Sequence, residues 1–405
     1  MSLIDYLCDA NKWQEYFEYK KDRQHLSKRD LETLRRYIET REYMPIVEKI
    51  TDGTYIWSYP IKKTINKSGT KKKRVVYTYT ENETQILKFL AFLLYRYDDN
   101  ISRHCYSFRR SLTAKDAISD ILKISNLGEF YSVKADISNY FNSMPTDKML
   151  DELNNVIGND ARLYEVLSEI LSQNIAIIQT ESGEATVAEQ RGAMAGVPVS
   201  AFLANIYLKS LDDLFENMNV PYFRYSDDIL IFAESKEKAA EYLELLTSHV
   251  NSKGLTINES KTVITPPHSE WEFLGFAYKN GKIDLSLVTI GKMKAKIKRK
   301  ARALYRWRTR KNVSYEKTAQ KMIKIFNKKF FDEEGENSFT WSRWFFPVLS
   351  SSDGLAELDR YLVMYLRYLS SGRHYKGNYS VKYETLKSLG LQSLVNEYYK
   401  SNGPR

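Results

Sequence analysis

The chain has 405 residues, a net charge of +10 at neutral pH and 43% apolar side chains. That apolar share supports a folded core and excludes an intrinsically disordered chain, and the length favours more than one domain. The surplus of Lys and Arg favours an anionic partner, with nucleic acid and a membrane surface as the two candidates.

The first fifty residues are charged and helix-like, with few turn signals before Asp52-Gly53, and Asp5, Asp9 and Lys12 interrupt any apolar leader. Tyr55 to Pro60 and Val75 to Thr80 read as strands, and Lys62 to Arg74 between them carries seven Lys and Arg around Ser68-Gly69. That spacing predicts a hairpin with a cationic tip, or else a solvated loop. Glu81 to Tyr97 has helical periodicity; its apolar part is too short to span a membrane and contains Lys88 and Arg96. Glu129 to Ile137 reads as a buried strand with Ser138 to Phe141 as its exit turn. Lys148 to Ser172 and Val199 to Phe215 read as long helices, the second preceded by Gly192, Gly196 and Pro198. Tyr222 to Arg224 and Ile229 to Ala233 are β-rich arms, Lys236 to Lys253 is a helix, and Lys261 to Ile264 and Trp271 to Tyr278 are short strands. Beyond about Leu285 the pattern is helical. Cys8 and Cys105 are the only cysteines, too few for a zinc site by themselves, and nothing in them points to an oxidising compartment, so a cytoplasmic setting is the default.

Two acidic sites stand out. Phe223 to Phe232 reads F-R-Y-S-D-D-I-L-I-F, with Asp227 and Asp228 between two apolar arms. An Asp-Asp pair is by itself an ordinary turn. Lys134 to Ser143 reads K-A-D-I-S-N-Y-F-N-S, and Asp136 ends an apolar strand. A charge there is costly unless paired or metal-bound. Two-metal phosphoryl chemistry needs carboxylates from separate elements around ions about 3.5–4 Å apart.

The order of motifs resembles that of reverse transcriptases. It runs from the Asp136 block through R-G-A-M-A-G-V-P-V-S-A-F-L-A-N-I-Y-L (Arg191 to Leu208) and Y-S-D-D (Tyr225 to Asp228). It continues with G-L-T-I-N-E-S-K-T (Gly254 to Thr262) and E-F-L-G-F (Glu272 to Phe276). The resemblance covers roughly Tyr55 to Tyr278, and its second motif is most similar to the unassigned, defence-associated bacterial enzymes related to retron and group II intron enzymes. It implies an α+β right-hand polymerase: a helical extension (1–54), fingers (55–130), a palm of antiparallel sheet plus helices (131–285, with a fingers insertion at about 150–190), and a helical thumb with a C-terminal region (286–405).

The resemblance assigns Mg²⁺ binding to Asp136, Asp227, Asp228 and the backbone carbonyl of Ile137. Phe141, five residues after Asp136, takes the place of a steric gate against the ribose 2′-hydroxyl, which implies DNA synthesis. Gly196 to Ser200 matches the loop beneath the nascent base pair. The chain departs from the family there, carrying Met194-Ala195 where many members have Pro-Gln. Lys261 matches a lysine that protonates pyrophosphate, or is a surface strand residue. Phe273, Leu274 and Gly275 match the primer grip, and Lys72, Lys73 and Arg74 lie where fingers clamp the triphosphate. Lys292 to Lys311 holds eleven Lys and Arg and no acid, with Met293, Ile297, Ala301 and Leu304 as an apolar stripe. In the family such a helix belongs to the thumb and contacts phosphates. The implied partners are RNA as template or scaffold, dNTPs and a DNA product, without a membrane; an oligomer stays open. The resulting expectation is an Mg²⁺-dependent RNA-directed DNA polymerase in antiphage defence with a dedicated non-coding RNA. The alternatives are a retron or intron-derived enzyme, or a catalytically idle RNA-binding scaffold.

Overall fold

The basic hairpin forms: β1 (Ile61–Asn66) pairs antiparallel with β2 (Lys73–Thr78), register Ile61 opposite Thr78. Its tip lies outside the residues that the computed structural model describes, which are 1–23, 26–66, 73–181, 183–189, 192–331 and 340–403. Tyr55 to Pro60, expected as a strand, is not one. The Ser58 N–H and the Tyr55 hydroxyl both donate to the buried carboxylate of Glu83, at 2.8 and 3.0 Å, and Pro60 has no N–H to offer a ladder.

Two compact units make up the chain, Met1–Pro267 and His268–Arg405. The boundary falls inside the stretch the resemblance gave to the palm. The first unit contains β1 and β2, then β3 (Tyr131–Asp136), β4 (Ile175–Thr180), β5 (Gly183–Ala188), β6 (Tyr222–Tyr225), β7 (Asp228–Ala233) and β8 (Val263–Thr265). They form two sheets, ordered β2-β1-β4-β5 and β6-β7-β3-β8. The hairpin of β4 and β5 was not anticipated, and it joins β1 in parallel at Ile61 opposite Ile177. Every ladder of the second sheet is antiparallel. Its centre is apolar: Ile229, Leu230, Ile231 and Phe232 on β7 are buried, each contributing about 1.5–3 kcal/mol. Helix Lys236–Ser252 is packed against β3 and β7, and Ala239, Leu246 and Val250 on it are buried. Both long helices expected in this region are broken. Thr146–Ile157 stops at Gly158 and restarts as Ala161–Ser172, capped by Asp160; Ser200–Tyr207 gives way at Leu208 to Lys209–Asn217.

The second unit opens with a three-stranded antiparallel sheet of β9 (Trp271–Phe273), β10 (Phe276–Lys279) and β11 (Lys282–Leu285). Helices Leu287–Lys311, Tyr315–Phe331 and Asp353–Ser371 follow. The expected stripe on the first of these, Met293, Ile297, Ala301 and Leu304, is buried, and Ile290 one turn earlier is buried with it. From His268 onward there are 27 Lys and Arg against 13 Asp and Glu, a net charge of +14. The rest of the chain has 34 against 38, so the basic surplus belongs wholly to the second unit. Among the described residues no helix is long and apolar enough to cross a membrane.

Candidate active site

Strand pairing brings the three aspartates together. β3 and β7 run antiparallel with Asp136 directly opposite Asp228. β6 and β7 pair with Tyr225 opposite Asp228, which leaves Ser226-Asp227 as a two-residue turn. Ser226 has φ +62°, and Asp227 is not in the left-handed region, the pattern of a type II′ hairpin turn. The N–H of Ile137 donates to the Asp227 carbonyl at 3.1 Å, so the strand carrying Asp136 also holds the turn.

The electrostatics are those of carboxylates short of positive charge. Burial raises the Asp227 pKa; Asp136 adds to this, and Lys261 and Arg74 oppose it. Burial also pushes Asp228 up to about 6, against the pull of Lys134. Lys134 Nζ stands 3.9 Å from Asp228 Oδ1, a buried oxygen that has no hydrogen-bond partner. Lys261 Nζ donates to both oxygens of Asp136, at 2.7 and 2.6 Å, and Asn258 Nδ2 donates to one of them at 3.2 Å. Among the described residues no three His, Cys, Asp or Glu side chains already close on one point. Lys261 occupies Asp136, and a cation shared with Asp227 would take its place there. The donor chemistry fits a hard divalent ion: oxygen donors only, one of them buried without a partner, with the charged forms of Asp227 and Asp228 disfavoured by burial and mutual repulsion.

A backbone loop preceding helix Ser200–Tyr207 is tied to β2 and to Phe141-Asn142. The Ala195 N–H donates to Asn142 Oδ1, and the Ala195 carbonyl accepts from the Tyr77 N–H on β2, both at 2.8 Å. Gly196 sits at φ +103°, and a Cβ there would stand 2.8 Å from the Tyr77 carbonyl oxygen, so only glycine fits. Ser200 is turned inward, its hydroxyl donating to the Ala193 and Met194 carbonyls. Its hydroxyl thus ties the loop to the start of helix Ser200–Tyr207. Phe141 is half-buried, its ring 6.1 Å from that of Phe108, which lies 6.3 Å from Tyr225; the Phe141 carbonyl accepts from the Ala193 N–H at 2.7 Å. Lys73 and Arg74 are exposed on β2, and Lys72 lies outside the described residues. Phe273, Leu274 and Gly275 belong to the second unit. They make the tight turn from β9 to β10, with Leu274 and Gly275 at φ +51° and +90°.

Sequence reasoning missed what lies under the aspartate turn. Arg224 and Asp212 are fully buried, paired through Nε to Oδ1 at 2.7 Å and Nη2 to Oδ2 at 2.5 Å. Tyr222 donates to the same carboxylate at 2.9 Å. Arg224 Nη2 also donates to the Asn205 carbonyl at 3.0 Å and Nη1 to the Ser226 carbonyl at 3.4 Å. The Ser226 N–H donates to Ser107 Oγ at 2.9 Å, and Ser107 in turn bonds Asn205. Both backbone polar groups of the left-handed residue are thus gripped, and Asn205 links the two grips. The available signal was an arginine inside an apolar strand, which needs a buried acid.

A family profile described as "Reverse transcriptase (RNA-dependent DNA polymerase)" matches residues 64–278, just over half of the chain. The retron Ec86 reverse transcriptase of Escherichia coli is 24% identical over 176 residues, 42% of this chain and 50% of its own. The chain thus matches about half the length of that curated relative. Among solved structures, telomerase from Candida albicans in complex with a TWJ fragment of telomeric RNA is 14% identical, with TM-score 0.47 over 91% of this chain and 71% of its own. An RNA polymerase complex inside a dsRNA virus is 11% identical, with TM-score 0.47 over 78% and 27%. Both structures are too distant to bear on function.

Proposed function

The chain belongs to the reverse transcriptase (RNA-dependent DNA polymerase) family, and from that membership we propose that it copies RNA into DNA with two Mg²⁺ ions, in antiphage defence alongside a dedicated non-coding RNA. The observation that carries this reading is Asp136 facing Asp228 across the ladder, with Asp227 at the adjoining turn. These three side chains would hold the metal, with the Ile137 carbonyl as a further ligand. When bound, the ions supply Lewis acidity toward a primer 3′-hydroxyl and counter-charge for the triphosphate.

The protein's own groups do the rest. The backbone of Ala195 and Gly196 offers a surface for the nascent base pair. Arg74, whose charge already acts on Asp227, and Lys73 face the triphosphate, with Lys72 as a third cation. Lys261 carries an ammonium at the site and serves as proton donor to pyrophosphate once released from Asp136. The Phe273–Gly275 turn serves as primer grip, and the basic helix Leu287–Lys311 holds phosphates of the duplex. The defence role rests on the wording of the motif around Gly196. The match to a retron enzyme favours a second reading, a retron-type enzyme with its own RNA.

The purified chain is expected to incorporate dNTPs on an RNA template with Mg²⁺, to stop on chelation with EDTA and to resume when Mg²⁺ is restored. Tight RNA binding without incorporation on any template would make it a scaffold. Phe141→Ala is expected to keep dNTP incorporation and raise the relative use of ribonucleotides by about 10²-fold. Single-nucleotide competition assays measure this, and an unchanged ratio would remove Phe141 from the gate.

A further inference from the structure

A cavity of about 930 Å³ opens in the second unit, beyond the family match, between helix Asp353–Ser371 and the segments 374–396. Leu362, Val363, Leu391 and Val395 give it an apolar lining. Tyr375 and Tyr379 also line it, 53% and 62% exposed, so their rings are open to a ligand. Each carries an arginine: Arg373 lies 5.5 Å from the Tyr375 ring centroid and Arg367 4.8 Å from that of Tyr379.

The rim is built, not loose. Asn378 is 5% exposed; it donates to the Arg373 carbonyl at 2.7 Å and accepts from Ser371 Oγ at 2.7 Å. Arg367 Nε donates to the Val381 carbonyl at 3.0 Å. The one acid on the wall, Asp359, is spent on a helix start. It accepts from the Leu394 and Val395 N–H groups at 2.9 and 3.2 Å and from Ser393 Oγ at 2.7 Å. The charge left for a ligand is therefore positive, in a unit of net charge +14.

Flat exposed rings with guanidinium groups over them, around an apolar hollow, suit a base that stacks and a phosphate that pairs. A duplex keeps its bases inside the stack and cannot fill such a hollow, whereas an unpaired strand can splay them out. Gln392 and Asn396 on the wall carry amides able to meet a ribose 2′-hydroxyl, which DNA lacks. We propose that this cavity binds unpaired nucleotides of single-stranded RNA. The site belongs to the second unit and the carboxylates to the first, and its proposal does not require that the chain polymerise.

The test uses the full chain and a fluorescent single-stranded RNA carrying 5-iodouridine. Photocrosslinks are expected at Tyr375 or Tyr379. Doubly substituted Tyr375→Ala/Tyr379→Ala protein should lose about tenfold in affinity by anisotropy. The Tyr→Phe pair should keep it, since the ring stacks without the hydroxyl. Duplex RNA binding should be the same in all three proteins. Because both tyrosines are exposed, the variants fold, and thermal unfolding checks this. Crosslinks confined to helix Leu287–Lys311 would overturn the proposal, as would unchanged affinity of the Ala pair. Equal binding of single-stranded DNA, or tighter binding of an acidic peptide, would overturn the assignment to RNA. Absence of nucleotide incorporation by the parent chain with these RNA results intact would count against the polymerase reading alone.

Discussion

Asp227→Ala is expected to lower nucleotide incorporation by about 10³-fold or more, roughly 4 kcal/mol of transition-state stabilisation. The backbone should not notice. Asp227 is held by its carbonyl, which accepts from the Ile137 N–H at 3.1 Å, and the turn geometry is set by Ser226. Burial already disfavours the Asp227 carboxylate, so deleting it relieves a cost in the protein without metal. The variant should therefore unfold at the same temperature as the parent or slightly higher. Mg²⁺ should raise the unfolding temperature of the parent by mass action and raise that of the variant less. Primer extension and thermal unfolding with and without Mg²⁺ check both halves. Equal incorporation by the two proteins would sink the polymerase reading. If the defence role holds, cells carrying Asp227→Ala should also lose their protection in a plaque assay.

The site was legible because its parts are short and local in pattern. The apolar run of β7 and the strand before Asp136 needed only the alternation and length of their side chains, and motif order supplied the pairing between them. The stripe on helix Leu287–Lys311 was equally readable, because every fourth residue or so must meet a core. What escaped is long-range or buried. The parallel contact of Ile61 with Ile177 joins segments more than a hundred residues apart, which no window of sequence reports. Tyr55 to Pro60 has the composition of a strand, and a single buried carboxylate, Glu83, redirects its hydrogen bonds. The break at Leu208 interrupts a periodicity that continues on either side, so the pattern alone gave one helix. The departure at Met194-Ala195 looks milder in three dimensions. The backbone of Ala195, which any residue supplies, ties the loop to Tyr77 and Asn142. The missing Gln removes one side chain and leaves the loop's architecture standing.

Asp212→Ala should be the most destabilising single change near the site, at about 3–5 kcal/mol. Arg224 is fully buried and cannot shed its proton, so losing its partner strands a charge in the core; Tyr222 loses its acceptor as well. A domain of ordinary stability, about 5–15 kcal/mol, keeps little after such a loss. Urea denaturation should show the midpoint falling without a change in slope. Replacing the pair together, Asp212→Leu with Arg224→Met, removes both charges and should recover much of that stability, because a buried pair contributes little net over apolar side chains. Activity should not follow. Without Arg224 the Ser226 carbonyl and the Asn205 carbonyl lose their donor, and the left-handed residue that positions Asp227 is held from one side only, by Ser107. Incorporation in single-turnover assays should stay about tenfold or more below the parent, since a small displacement of a reacting group is costly. The two readouts separate a stabilising pair from a positioning one. Full recovery of incorporation along with stability would reduce Arg224 to a core residue, whereas recovery of stability alone ties the buried arginine to the aspartate turn.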